Sequence, residues 1–310
     1  MSEKLISIVT PCFNEEGNVD ELYERIKTVM SGLNYQYEHI FIDNASTDNT
    51  AKKLRVIAAQ DARVKVIFNT RNFGHVRSPV YALYQAVGDA VVAMASDLQD
   101  PPERIPDFIK KWEEGFPVVI GVKEKSKDSP LFHFLRTMYY RFLRSLSDVQ
   151  LIENFTGFGL YDRRVIDVVR KIDDPYPYFR GLIADLGFDI AKIVFVQQRR
   201  SRGISKNNFY TLYDLAMLGL TNYTKIPLRL AAMFGFLSSF ISFVIGLVYL
   251  IYKLIFWYQF SLGSAPLVIG LFFLGSVQLF FLGIVGEYIG AIYTQVMHRP
   301  LVIEKERLNF

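Results

Sequence analysis

The stretch MASDLQDPPE, residues 94–103, puts three oxygen-bearing side chains, Asp97, Gln99 and Asp100, at the end of an apolar run. A hard divalent cation such as Mg2+ or Mn2+ takes oxygen ligands and keeps waters and phosphate oxygens in its shell. Asp97 and Gln99, two positions apart, can both address one such ion. Pro101, Pro102 and Glu103 by themselves mark only a turn before a helix, since proline is tolerated in a first helical turn. A second group has the opposite charge. QQRRSRGISKNN carries Arg199, Arg200, Arg202 and Lys206. Gly203 and Ser205 favour a shaped loop over a plain charge run, because glycine permits close backbone approach. Two readings stay open for it: a polybasic patch on anionic lipid headgroups, or a clamp on an anionic substrate held at a membrane surface.

These groups need a scaffold. LISIVT (5–10), HIFID (39–43), VKVIF (64–68) and AVVAMAS (90–96) read as strands. Between them lie helical patterns over Val19–Met30, after STDNT, and over Val76–Val87. Near-continuous apolar strands alternating with amphipathic helices predict an α/β fold with a mostly parallel sheet covered on both faces. In such sheets ligands bind at the carboxyl ends of the strands. CFNEE, DNASTD, NTRNFGH and SDLQD each follow a strand, so four segments deliver polar groups to one rim. A strand-end Asp43 taken alone could be only a helix N-cap. Residues 134–147 read as a helix and FDIAKIVFV (188–196) as a further strand.

The chain has 310 residues, 51% of them hydrophobic, and a net charge of +4. The apolar excess is concentrated: no charge occurs from Leu230 to Tyr252, nor from Leu254 to Gly286. Each stretch exceeds the roughly 20 residues that an α-helix needs to cross a bilayer. The expected organisation is a soluble domain over 1–207, an interfacial amphipathic segment over 208–227, and two membrane helices within 228–294, at about 228–252 and 263–288. A tail follows at 295–310. Lys225 and Arg229 precede the first span, and His298, Arg299, Lys305 and Arg307 follow the second; the loop between has only Lys253. The positive-inside rule then puts both termini in the cytoplasm. The N-terminus has no signal-peptide pattern, and the single Cys12 suits a reducing compartment. Gly235, Gly246, Gly283 and Gly286 allow close helix contact, within one hairpin or in a homo-oligomer. Nothing in the charge pattern argues for nucleic acid. The Gln-x-x-Arg-Trp signature of processive polysaccharide synthases is absent, and two spans without midplane charges do not make a transporter.

TPCFNEEGNV, FIDNASTDNT, NTRNFGH, SDLQDPPE, FRGL and RRSRGISK, in that order, resemble the nucleotide-sugar glycosyltransferases of family 2. The closer resemblance is to the polyprenyl-phosphate glycosyltransferases, which include bactoprenol glucosyltransferases and dolichyl-phosphate mannose synthases. The resemblance implies a Rossmann-like GT-A domain followed by a two-helix transmembrane hairpin in the cytoplasmic membrane. It implies transfer of a hexose, from a UDP-linked donor, to polyprenyl phosphate for cell-envelope glycan modification; direct attack by the lipid phosphate opposite the leaving group predicts inversion. Pro11, Phe13, Glu15 and Asp43, with Ser46, Arg71 and Gly74, would hold the donor. Asp97 and Gln99 would bind the divalent metal, Mg2+ or Mn2+. Arg180, Arg200, Ser205 and Lys206 would grip phosphates, with Arg202 as a nearby charge. Two departures stand out. The family form Asp-x-Asp-x-Gln has Ala95 at its first position here, and an Asp-Phe-Arg run is replaced by Gly157-Phe158-Gly159. They fit an active sub-branch with altered metal or sugar contacts; the alternative is a membrane-anchored nucleotide-sugar-binding protein with impaired catalysis. A lipid phosphate is its own nucleophile, so no general base is expected, and Asp162 is read as a helix cap or a partner of Arg163.

Overall fold

The computed structural model describes residues 4–124, 152, 154–197, 217, 226–256 and 264–310. The expected helix at 134–147, the basic loop with Arg199–Lys206 and most of the interfacial segment lie outside the described residues.

Alternating apolar runs and amphipathic helices build one sheet. Its strands are β1 (Leu5–Cys12), β2 (Gln36–Asp43), β3 (Val64–Asn69), β4 (Ala90–Ala93), β5 (Val118–Lys123), β6 (Phe155–Asp162), β7 (Ile190–Phe195) and β8 (Glu304–Leu308). Their order is β7-β5-β6-β4-β1-β2-β3-β8. The central β4-β1-β2-β3 block is parallel, and so is β5 with β7. Strand β6 runs antiparallel between β4 and β5, and β8 runs antiparallel on the edge of β3. Helices α1 (Val19–Ser31), α2 (Thr50–Gln60), α3 (Gly74–Gln85), α4 (Ile105–Glu113), α5 (Arg163–Ile172) and α6 (Phe179–Asp185) accompany the sheet.

Successive strand residues face opposite sides, and two cores result. On one side Ile8, Phe41 and Phe158 pack with Leu22, Ile26, Phe108 and Trp112 from α1 and α4. On the other, Val9, Ile42 and Tyr161 pack with Leu83, Val165 and Val169 from α3 and α5. The amino ends of the strands are sealed for stability. Ser7 donates to Glu38 at 2.5 Å and accepts from Gly88 N–H at 2.8 Å, and Lys65 pairs with Glu38 at 2.7 Å. A side chain at Gly88 would put its Cβ 2.7 Å from the Leu5 carbonyl, so glycine is required there. The carboxyl ends are thus the open rim.

Two long apolar helices follow, α7 (Ile226–Ile255) and α8 (Ser264–Val296). Both run beyond the predicted spans. Among the described residues, the 24-residue stretch Phe273–Val296 of α8 is long and apolar enough to cross a membrane, whereas the apolar stretch of α7, Ile226–Ile241, is shorter. Phe236, Leu267 and Leu279 are at least 70% exposed. Among the described residues nothing lies within 4 Å of a Cβ added at Gly235, Gly283 or Gly286; Gly246 lies outside the described side chains. The chain then returns to the sheet. Residues 295–310, expected to be a tail, contain β8, whose Val66↔Leu308 and Phe68↔Glu306 pairings extend the sheet past β3.

His39 lies on β2, fully buried, with Nε2 3.0 Å from Thr10 Oγ1. Burial lowers its pKa to about 3. As pH falls below about 6.5 the unfolded chain takes up the proton and the folded chain does not, so stability drops through the window from 6.5 to 3. Thermal unfolding against pH should show that His39→Asn removes up to about 1.4 kcal/mol per pH unit of this slope. An unchanged profile would contradict a buried neutral His39.

Candidate active site

The rim is made of loops that hold one another. Asn14, left-handed at φ 56°, receives Thr47 N–H on its side chain at 2.7 Å and donates its own N–H to Ser46 Oγ at 2.9 Å. Glu15 N–H donates to Thr50 Oγ1 at 2.8 Å, and Asn49 N–H to Glu16 Oε2 at 2.8 Å. These bonds bind the β1–α1 loop to the β2–α2 loop. Asp43 ends β2, buried, and accepts from Ser46 N–H at 3.2 Å. Burial pushes its carboxyl above the usual range despite the Ser46 bonds. It caps no helix: α2 starts at Thr50, beyond a further loop.

Asn44 joins this pair of loops to the β3–α3 loop. Its Oδ1 accepts from Asn69 Nδ2 at 3.0 Å and from Phe73 N–H at 2.9 Å. Its Nδ2 donates to Asn72 Oδ1 at 2.8 Å and to the Gly74 carbonyl at 3.1 Å. Gly74, at φ 86°, has a conformation that few other residues adopt readily. Arg71 of the same loop is exposed, with its guanidinium 4.1 Å from the Phe73 ring centroid.

Beyond β4 the SDLQD segment turns sharply, with Leu98 at φ 61°. Asp97 and Gln99 are half-buried, and Gln99 N–H donates to Asp97 Oδ1 at 3.2 Å. Asp100 folds back inside, 4% exposed, and accepts from Ala95 N–H at 3.3 Å. Burial, aided by the Asp97 charge, raises its pKa to about 7. Its other oxygen has no hydrogen-bond partner among the described residues, and neither does Thr156 Oγ1. Both residues line a cavity of about 360 Å3 at the ends of β1, β4 and β6. Pro11, Ala95, Gly157 and Arg180 line it too. Arg180 donates to the Phe155 carbonyl at 3.3 Å.

The fold therefore brings Pro11 and Arg180 to one cavity and knits Glu15, Asp43, Ser46 and Gly74 into the adjoining rim. Phe13 sits at the start of that rim, directly after β1. Arg200, Arg202, Ser205 and Lys206 lie outside the described residues. Among the described residues no group of three or more His, Cys, Asp or Glu side chains could hold a metal. Asp97 and Gln99 carry the oxygen-bearing side chains that a hard cation accepts, and the bond from the Gln99 backbone to Asp97 holds their turn. Asp162 caps α5, accepting from Arg164 N–H at 3.0 Å and from the Trp112 indole at 2.8 Å. Burial raises its pKa, but these bonds outweigh burial and hold the carboxyl below the usual range. Its ion pair is with Arg164, while Arg163 donates to the Gly88 and Ala86 carbonyls. Asn44, Asp100 and Thr156 escaped the sequence analysis as site residues. Asp100 stood within the metal-seeking motif itself, whereas nothing in periodicity marks Asn44 or Thr156.

Asn44→Ala would leave Asn69 and the Phe73 N–H short of buried partners. It should cost roughly 3 kcal/mol of stability, read by chemical denaturation. A loss well under 1 kcal/mol would mean that the three loops do not depend on it.

The comparisons agree with this architecture. Residues 7–170 match the model of glycosyl transferase family 2, and residues 226–292 match that of the GtrB C-terminal hairpin. The chain is 37% identical over 298 residues to an uncharacterized glycosyltransferase, YkcC, of Bacillus subtilis (strain 168), covering 96% of this chain and 92% of that one. It is 33% identical over 301 residues to the bactoprenol glucosyl transferase of Shigella phage SfV, covering 97% and 98%. A solved structure of glucosyl-3-phosphoglycerate synthase from Mycobacterium tuberculosis, with Mn2+, UDP-glucose and phosphoglyceric acid, is a distant likeness: TM-score 0.45, 19% identity, 70% of this chain and 78% of that one. By its domain and by relatives that span nearly its whole length, the chain belongs to glycosyltransferase family 2 and is a glycosyltransferase with a GtrB-type C-terminal hairpin.

Proposed function

We propose that this enzyme transfers a hexose from a UDP-linked donor to polyprenyl phosphate at the cytoplasmic face of the membrane, with inversion at the anomeric carbon. The observation that carries this reading is the return of the chain to its own sheet. Apolar helix α8 ends at Val296 and β8 begins at Glu304, so a membrane-crossing helix is fastened beside the rim that holds the site. Its relatives' name, bactoprenol glucosyl transferase, supports a lipid acceptor. The topology supports two crossings. Strands β7 and β8 belong to one sheet, which favours an even number of crossings between them. With α8 crossing, α7 crosses as well, which leaves both termini on the side of the sheet.

The chemistry follows from charge. A phosphate monoester has a second pKa of about 6 and is largely a dianion at neutral pH. It needs no base and attacks from the face opposite the leaving diphosphate. The protein's task is to bring two anions together. Asp97 and Gln99 would hold the divalent cation, which offsets charge on the leaving diphosphate when bound. Pro11, Phe13, Glu15, Asp43, Ser46, Arg71 and Gly74 would hold the nucleotide sugar. Arg180 at the cavity, with Arg200, Arg202, Ser205 and Lys206, would hold phosphate oxygens. Most of the barrier lowering then comes from positioning and preorganised charge.

Membranes containing the enzyme, a UDP-hexose, polyprenyl phosphate and Mg2+ or Mn2+ should yield lipid-linked sugar. An α-linked donor should give a β-linked product by NMR; retention would refute direct displacement. Asp97→Ala and Lys206→Ala should each lower transfer by roughly 100-fold or more. Normal turnover by Asp97→Ala would remove it from the metal site, and equal release of free sugar without lipid would remove the acceptor. Donor binding with no product from any sugar would favour the impaired binding protein, to which the missing carboxylate at Ala95 points.

A further inference from the structure

A second cavity, of about 260 Å3, lies where α8 meets the catalytic domain. It is lined by Arg77 of α3, by Pro175 and Tyr176, by Tyr293 and Met297 at the end of α8, and by Arg299. Its charge is unbalanced. Among the described residues neither Arg77 nor Arg299 has a carboxylate within ion-pair distance. Arg77 donates from Nη2 to the Pro300 carbonyl, while its buried Nε has no partner. Arg71 adds to the charge: the Arg71 and Arg77 guanidiniums lie 4.1 and 5.6 Å from the centroid of the same Phe73 ring. The nearby Asp174 is engaged, its Oδ1 accepting from Gln295 Nε2 and from Tyr176 N–H, each at 2.9 Å.

Unpaired arginines around a partly enclosed cavity call for an anion, and the guanidinium fork suits phosphate oxygens. The place says where that anion comes from. Tyr293 and Arg299 bracket the cytoplasmic end of α8, at the height where aromatic and basic residues meet lipid headgroups. We propose that this cavity binds the phosphate of a membrane lipid at the junction of α8 with the catalytic domain. The inference rests on the reading of α8 as a membrane helix. Bulk anionic phospholipid and polyprenyl phosphate share the chemistry required.

The full chain, purified in neutral detergent, is titrated separately with phosphatidylglycerol, polyprenyl monophosphate, phosphatidylcholine and inorganic phosphate, and bound lipid is counted by native mass spectrometry. Wild type should retain one of the two anionic lipids about tenfold more tightly than Arg77→Gln/Arg299→Gln does, with phosphatidylcholine unaffected. Whichever lipid discriminates names the source. Arg299→Gln alone should give a smaller loss in the same direction and serves if the double variant does not fold. Equal retention of both anionic lipids by wild type and variants overturns the proposal. So does inorganic phosphate displacing the lipid at equal concentration. Resistance of the wild type to carbonate extraction from membranes is measured in parallel. If the protein washes off, the membrane reading and this site fall together; if it stays while retention is equal, only the site falls.

Discussion

The antiparallel pairing of β8 with β3 is the constraint on which the rest of the molecule depends. An open edge strand is a template for unwanted pairing, and here the chain's own C-terminus covers it. The pairing is reinforced from both sides. Arg55 meets Glu306 at 2.6 Å, Tyr81 donates to Glu304 at 2.9 Å, and Asn309 donates to the Ala58 and Val64 carbonyls at 2.7 and 2.8 Å. Residues 297–303 separate α8 from β8, eight Cα steps that reach at most about 29 Å when extended. The height of the sheet above the end of α8 is limited accordingly. A lipid-borne phosphate cannot travel far from the bilayer, since each buried CH2 holds its chain there by about 0.8 kcal/mol. The short connection keeps the rim close to the end of α8.

The departures from the family pattern make sense together. Ala95 and Gly157 line the same cavity, so two carboxylates are missing from one place. Gly159 faces the neighbouring strand. A Cβ there would lie 2.4 Å from the Val119 carbonyl and 3.4 Å from the Tyr161 hydroxyl, so this backbone has no room for an arginine. The fully buried Tyr161 instead donates to the Gly157 carbonyl at 2.9 Å. The cavity retains Asp100, whose raised pKa leaves it only partly charged at neutral pH.

Much of this was legible in the sequence. Strands β1 to β4 announce themselves as apolar runs ended by polar clusters, and the clusters meet at one rim because parallel strands share a carboxyl end. Strand β8 was hidden because EKERL alternates charged residues without an apolar face, as suits an exposed edge. Strand β5 was hidden as a short apolar run interrupted by Gly121. That glycine sits where a Cβ would come within 2.9 Å of both Phe158 and Phe195. The role of Asn44 was invisible for a different reason. A hub that satisfies three loops is a matter of three-dimensional hydrogen-bond geometry, and no spacing along the chain encodes it. Helix α3 begins two residues before its apolar pattern does, with Gly74 held at its start by the Asn44 and Asn72 side chains.

Helix α3 lines both the rim cavity and the cavity beside α8. His75, Val76, Pro79 and Val80 line the reaction cavity, while Arg77 lines the cavity beside α8. The segment 175–180 repeats the arrangement, with Pro175 and Tyr176 toward α8 and Pro177 to Arg180 toward the reaction cavity. Two short pieces of chain thus line both cavities, the one at the rim and the one beside α8. Proline inside a helix removes the hydrogen bond to the carbonyl four residues earlier, so Pro79 leaves the His75 carbonyl without its helical donor at the cavity.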